Sequence, residues 1–312
     1  MDTSGDVTSK EHHLVTDAAH ARVNPLIELL EADKPIFSVW ANYYGVGADY
    51  QVAASLQASP HYDFLLYDLE HQPYDLGQLR RFLWDLLDPA TLVTGGRGAI
   101  KPVIARIPPG GRDSTTWVTK QVLDMGVAGL MLPHVETPEQ ALGAVAAARY
   151  AQHPDARDLH PEGLRGYSPA VPARYWGLDP HDYQARSDIW GLDPLGELLL
   201  IFIIESRRGV DNVRAIAEGL TEAGVRCILW AGGGDMSISY GEPPYGGEQP
   251  ATEAGIEAVL SAGREFGLPV GMNNYRSVEA DFARGARAFF TLGPQAIATS
   301  PLSDEARRAV GR

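Results

Sequence analysis

Only one cysteine, Cys227, occurs in the 312 residues, so the chain has no internal disulfide, and its setting in an apolar run marks it as a small buried hydrophobe rather than a nucleophile. No stretch approaches the roughly 18 consecutive apolar residues that a membrane helix requires. The start, Met1-Asp2-Thr3-Ser4-Gly5-Asp6, lacks both a basic n-region and an apolar h-region. A cytoplasmic location is therefore the default expectation, and no membrane partner is expected. Basic side chains are scarce, 26 against 40 acidic ones for a net charge of −14, and they form no basic stripe. That balance argues against binding a phosphate backbone, so nucleic acid is not an expected partner. No Gly-x-Gly-x-x-Gly follows an early strand, which weakens a two-domain dinucleotide-binding reading. No internal repeat is evident.

What the chain does contain is the composition of a globular protein, 45% apolar and 21% charged, with short β-type runs alternating with helix-period segments. The candidate strands are Pro35 to Trp40, Phe64 to Asp68, Pro102 to Arg106, Gly129 to Val135, Glu197 to Glu205, Cys227 to Ala231, Pro269 to Asn273 and Ala288 to Leu292. Between them, Leu76, Leu79, Phe82, Leu83 and Leu86 follow helix spacing, as do Val213, Ile216, Ala217 and Leu220, and again Ile256, Val259 and Leu260. Thr137-Pro138-Glu139-Gln140 is a helix start with a threonine N-cap, proline at the first helical position and glutamine placed to close a capping box. Eight such alternations predict the α/β class and a single (β/α)8 TIM barrel over residues 25–312. Residues 1–24 read as a flexible polar arm before a helix from Asn24 to Asp33. Residues 151–195, rich in Pro, Asp, Arg, Tyr and Trp, read as a long irregular insertion of the kind that carries function, expected to hang over the catalytic face.

Barrel enzymes place their chemistry at the C-terminal ends of the strands. Here the apolar runs at those ends stop at His71, Arg106, Glu205 and Asp235. Two carboxylates on neighbouring strand ends suit a hard divalent cation such as Mg²⁺ or Mn²⁺, which keeps waters and leaves positions for a chelating substrate. Either acid alone could instead cap a helix or pair with an arginine. Arg106 can bind a carboxylate or stabilise an enolate oxygen, or hold a structural ion pair. His71 can transfer protons near neutral pH if a carboxylate holds its other nitrogen, and Asp124 is a candidate for that carboxylate. His134, after Met131-Leu132-Pro133, reads mainly as structural. Gly232, Gly233 and Gly234 allow main-chain N–H groups to approach an anion, or simply permit a tight turn.

Taken in order, Asn24-Pro25-Leu26, Pro35 to Trp40, Asp68-Leu69-Glu70-His71, Pro102 to Arg106, Lys120 to Gly126, Leu132-Pro133, Arg165-Gly166, Glu205-Ser206 and Gly234-Asp235-Met236-Ser237 resemble the class II pyruvate aldolases. The chain is similar to this family, the HpcH/HpaI 4-hydroxy-2-oxoacid aldolases, from about residue 24 to about residue 293. The resemblance implies a barrel of the phosphoenolpyruvate/pyruvate-binding type that reversibly cleaves a 4-hydroxy-2-oxoacid to pyruvate, or a related 2-oxoacid, and an aldehyde without a Schiff-base lysine. It implies that Glu205 and Asp235 hold Mg²⁺ or Mn²⁺, with Co²⁺ as a further candidate, and that Arg106 stabilises the enolate oxygen. It further implies that His71, oriented by Asp124, moves the proton, and that Gly232, Gly233 and Gly234 with Arg106 bind substrate. A homo-oligomer is implied as well, a hexamer among its candidate forms, with active sites that include residues of a neighbouring subunit.

The chain departs from the family where Gly232-Gly233-Gly234-Asp235 replaces the usual Gly-Pro, and where Leu69 stands in place of a common glycine. The Arg106-to-Asp124 spacing is stretched and the 151–195 segment enlarged. The alternatives are a malyl- or citramalyl-CoA-type lyase, against which His71 speaks because those enzymes typically have Asp there, and a non-catalytic metal-binding barrel. With the barrel core occupied by the pyruvyl half, the insertion is expected to read the aldehyde through Tyr167, Tyr175, Trp176, Tyr183 and Trp190 and through Arg165, Arg174 and Arg186. The other reading of those aromatics is that they bury the loop.

Overall fold

A computed structural model of the chain describes residues 22–42, 49–109, 116–244, 248–273 and 277–291, with 308, 311 and 312. Its strands are β1 (Ile36–Trp40), β2 (Phe64–Asp68), β3 (Val103–Arg106), β4 (Gly129–Leu132), β5 (Leu199–Ile204), β6 (Ile228–Ala231), β7 (Val270–Asn273) and β8 (Ala286–Thr291). They pair in sequence order, every neighbour parallel, and β8 returns to β1 through Ile36 opposite Ala288 and Ser38 opposite Phe290, so the barrel closes. All eight expected strands are present, β2 with the expected bounds, β8 moved back to start at Ala286, and the others with ends trimmed by one to three residues. Leu292 of the expected last strand lies outside the described residues.

Parallel strands covered on both faces read as continuous apolar runs, and β5, Leu-Leu-Ile-Phe-Ile-Ile, is buried throughout. Alternate side chains then sort to two cores. Phe64, Leu66, Ile104, Met131, Ile201, Ile203, Ile228, Trp230 and Phe290 fill the barrel interior. Leu65, Tyr67, Val103, Leu130, Phe202 and Leu229 face outward and pack with helix residues such as Phe82, Val122, Ile216 and Leu260. Gly271 makes room for the indole of Trp230, to which a Cβ at that position would approach within 2.1 Å.

The helix Pro25–Glu31 contributes Leu26, Ile27 and Leu30 to the interior core, and Asn24 caps it. Glu197, fully buried just ahead of β5, accepts from the main-chain N–H groups of Val23 and Asn24 at 3.1 and 2.9 Å and from Arg186 at 3.0 Å. The helix therefore plugs the end of the barrel where the strands begin. Most of the expected N-terminal arm lies outside the described residues, but its last members are tied down by these bonds. The capping box at Thr137 and Gln140 forms as expected.

The insertion does not lie over the catalytic face. It follows the helix Pro138–Ala148 and precedes β5, so it is a helix-to-strand connection, and such connections run along the N-terminal end of the barrel. Its contacts agree. Trp176 donates from Nε1 to the carbonyl of Gly126, just before β4, at 2.8 Å, and Trp190 donates from Nε1 to Glu31 Oε1 at 3.0 Å. Two short helices, Ala170–Trp176 and Pro180–Arg186, organise the segment. Tyr175, Trp176, Tyr183 and Trp190 are buried there, and Arg149, with no exposed surface, forks onto Asp188 at 2.7 and 2.8 Å. The aromatics expected to read an aldehyde instead build a second, polar-stapled core; of the five, Tyr167 alone is exposed.

Candidate active site

Strand β2 ends at Asp68, which is wholly buried and does three things at once. Its Oδ1 accepts from the main-chain N–H of Glu70 at 3.1 Å and of His71 at 3.4 Å, turning the chain across the barrel mouth. Its carboxylate takes the guanidinium of Arg106, one strand over, in a fork of 2.9 and 2.9 Å. Its main chain exchanges hydrogen bonds with the side chain of Asn42 at 2.7 and 2.9 Å, which ties the end of β2 to that of β1. Asp68 and Arg106 are aligned partners in the β2–β3 register, so the pairing follows from the sheet itself.

Arg106 also approaches Glu70 Oε2 at 3.2 Å, and its guanidinium lies 4.4 Å over the ring of Trp40. Burial pushes the Glu70 carboxyl up, while Arg106 and then His71 pull it down. His71 is exposed at the rim, with Nε2 3.6 Å from Glu70 Oε2.

Across the mouth, Glu205 follows β5 and is 6% exposed. Burial raises its pKa to about 8 against the downward pull of a hydrogen bond from the His134 main-chain N–H at 2.8 Å, and the neighbouring Asp235 and Glu70 charges add to the rise. A carboxyl held so far above its usual value by burial and by two further carboxylates is a site short of positive charge. Gly232, which closes β6, is fitted to it. A Cβ there would stand 2.6 Å from Glu205 Cβ and 2.9 Å from its Oε2. Gly233 opens the helix Gly233–Tyr240, and Asp235 sits in its first turn. The first-turn N–H groups of a helix lack internal partners and attract an anion, which places Gly233 and Gly234 where a carboxylate can be received.

The barrel thus brings His71, Arg106, Glu205, Gly232, Gly233, Gly234 and Asp235 to its C-terminal mouth. It does not bring Asp124 there within one chain. Asp124 follows the helix Thr116–Leu123, which runs from β3 back toward the start of β4, and it is engaged by Arg165 at 3.0 Å and Lys120 at 3.7 Å. Among the described residues no group of three His, Cys, Asp or Glu side chains is placed to hold a metal ion by itself, so a cation at Glu205 and Asp235 would need ligands from water or substrate. Asp68, Glu70 and the His134 main chain are site members that the strand-end pattern did not single out. The pairing of Asp68 with Arg106 follows from the register of β2 on β3.

Residues 45–296 match the family model described as HpcH/HpaI aldolase/citrate lyase. A hydroxypyruvate/pyruvate aldolase of Paraburkholderia phytofirmans is 32% identical over 250 residues, 80% of this chain and 82% of that protein. A 5-keto-4-deoxy-D-glucarate aldolase of Escherichia fergusonii is 31% identical over 72% of each chain. The crystal structure of an HpcH/HpaI aldolase/citrate lyase family protein from Burkholderia cenocepacia superimposes with a TM-score of 0.65 at 27% identity, covering 86% of this chain and 92% of that one.

Proposed function

The chain belongs to the HpcH/HpaI aldolase/citrate lyase family and is a carbon–carbon lyase, and from that premise we propose that it cleaves a 4-hydroxy-2-oxoacid reversibly to pyruvate, or a related 2-oxoacid, and an aldehyde. The observation that carries this reading is the buried Glu205, backed by Gly232 and close enough to Asp235 and Glu70 to feel their charge, at the same mouth as a guanidinium fixed by Asp68. Glu205 and Asp235 would hold a divalent ion, Mg²⁺ or Mn²⁺ with Co²⁺ as a substitute. When bound, such an ion supplies Lewis-acid stabilisation of enolate charge.

The remaining work falls to the chain. The N–H groups at Gly233 and Gly234 receive the substrate carboxylate at the helix N-terminus. Arg106, locked by Asp68 and stacked on Trp40, is held at the mouth where its charge stabilises the developing oxyanion without having to reorganise. His71, exposed at the rim beside Glu70, moves the proton. Because one chain holds Asp124 at the far end of its helix, the orienting carboxylate for each His71 comes from the Asp124 of a second copy. That makes the enzyme a homo-oligomer, a hexamer among its candidate forms, acting on small molecules in the cytoplasm. Among the described residues no helix is long and apolar enough to cross a membrane.

The test is exchange of the pyruvate methyl protons with solvent, followed by NMR with Mn²⁺ or Mg²⁺ present. Exchange should need the metal and be lost in Glu205→Gln and Asp235→Asn. Undiminished exchange in excess EDTA would defeat the reading.

A further inference from the structure

Among the described residues two that are not glycine adopt positive φ. Asp33 sits beyond a helix end at the barrel floor, and His134, with φ of 53°, stands at the mouth. His134 leaves β4 after Pro133, and the chain rejoins β5 at once, Val135 N–H donating to Ile203 at 3.1 Å. The left-handed turn aims the His134 main-chain N–H at Glu205 Oε1. Glycine would deliver the same N–H without strain, so the histidine side chain is carried in spite of the backbone.

The imidazole itself makes no hydrogen bond to described residues. Its side chain is 44% exposed, and Nδ1 lies 3.7 Å from Glu205 Oε1, too long for a hydrogen bond. The ring is also near enough to Glu70 to act on its carboxyl. Glu70 follows β2 and Glu205 follows β5, so a ring that bears on both carboxylates stands at the mouth between them. Arg106 is assigned to the oxyanion and the glycines to the substrate carboxylate, and within one chain the insertion lies at the other end of the barrel. Among the described residues this leaves the His134 ring at the mouth as a donor or acceptor without an assignment.

The charge of the mouth narrows what the ring can take. Among the described residues, the carboxylates of Asp68, Glu70, Glu205 and Asp235 stand about the Arg106 guanidinium, Arg208 being paired with Glu136 at 3.6 Å, and even with a divalent ion bound the pyruvate carboxylate keeps that cluster's balance negative. A second anion is disfavoured there, whereas a hydroxyl suits imidazole, which offers one donor and one acceptor when neutral. We propose that the His134 imidazole is the acceptor-binding group of this enzyme and that it hydrogen-bonds the hydroxyl of a neutral 2-hydroxyaldehyde, an assignment that rests on the aldolase reading above.

Glycolaldehyde and propanal test it, because they match in size and differ by hydroxyl for methyl. The ratio of their kcat/KM values, glycolaldehyde over propanal, should fall roughly three- to tenfold in His134→Gly, the range for loss of one neutral hydrogen bond. His134→Asn, which tolerates the left-handed backbone and keeps a polar side chain, should recover part of the ratio. Mn²⁺ binding, read by electron paramagnetic resonance without turnover, should persist in both variants because the main-chain donor to Glu205 remains. The melting temperature of His134→Gly should not fall. An unchanged ratio in both variants with Mn²⁺ still bound overturns the assignment, as does a higher kcat/KM for glyoxylate than for glycolaldehyde in the wild type. If the wild type shows no metal-dependent proton exchange with pyruvate, the aldolase reading fails first and takes the assignment with it.

Discussion

Replacing Asp68 tests whether the site is preorganised in the way its geometry indicates. The carboxylate has no exposed surface and makes two 2.9 Å bonds to a guanidinium that is itself only 13% exposed. Hydrogen bonds to charged groups contribute about 1.5–3 kcal/mol each, and removing one member of a buried pair costs about 3–5 kcal/mol, because the other charge is left uncompensated. Glu70, 3.2 Å from Arg106 Nε, can take up part of that charge. Asp68→Asn keeps one acceptor and should cost about 2–3 kcal/mol, and Asp68→Ala about 3–5 kcal/mol. For a barrel of this length a kilocalorie corresponds to roughly 2 °C. The expected falls in melting temperature are therefore about 4–6 °C for the asparagine variant and 6–10 °C for alanine.

The functional loss should exceed what stability alone explains. A guanidinium released from its fork has to reorganise toward the oxyanion, and losing one preorganised donor of this kind costs about 10²–10³ in kcat. Differential scanning fluorimetry and pyruvate proton exchange measure the two effects on the same samples. In the double variant Asp68→Asn, Arg106→Met the destabilisation should be smaller than the sum of the single changes, since neither charge is then left alone. A melting temperature within 2 °C of wild type for Asp68→Ala, or strict additivity in the cycle, would refute the argument.

His71→Ala should lower the exchange rate roughly 10²- to 10⁴-fold, the range for a positioned acid–base group, and Asp124→Asn should lower it less. If Asp124 acts on the His71 of a second copy, mixing the impaired His71→Ala and Asp124→Asn subunits should restore sites that combine an intact His71 with an intact Asp124, and failure of any such complementation speaks against pairing between copies. Trp176→Ala should cost about 3–5 kcal/mol, as large-to-small changes in a core do, and leave the ranking of aldehydes unchanged; an altered ranking would return the insertion to the active site. For Glu205 the folded pKa of about 8 stands above the ordinary 4.5, so the folded, metal-free protein holds a proton that the unfolded chain has released between those values. Its stability should therefore fall as pH rises through that window, by on the order of 5 kcal/mol in all, and Mn²⁺ should raise the melting temperature more at pH 8 than at pH 6.

The barrel was legible because its signal is repeated. Eight apolar runs alternate with segments of which three show helix spacing and a fourth a capping box, and an error at one end, such as the two residues by which β8 starts early, leaves the alternation intact. The strand-end residues were legible for the same reason, since the topology carries Glu205, Arg106 and His71 to one mouth whatever their rotamers. What was not legible depends on partners rather than on position. Nothing in the single sequence says that Asp68 rather than Glu70 takes the fork of Arg106; that follows from register, Asp68 opposite Arg106. Likewise His134 carries no local mark of a left-handed backbone, a conformation imposed by the need to turn from β4 and meet β5 within three residues.

The misplaced insertion shows which feature of a barrel sequence deserves more weight than composition. Aromatic and charged residues without periodicity suit an active-site loop and a packed plug equally well, so residue types cannot choose between them. Order can. A segment between a strand and the following helix belongs to the C-terminal mouth, and one between a helix and the following strand belongs to the floor. The capping box at Thr137 had already fixed a helix starting there, and everything from its end to β5 is therefore floor. The consequence for specificity is physical. On the proposed reading, variation that changes the aldehyde acts through the strand-to-helix connections, His134 among them, or through a neighbouring copy.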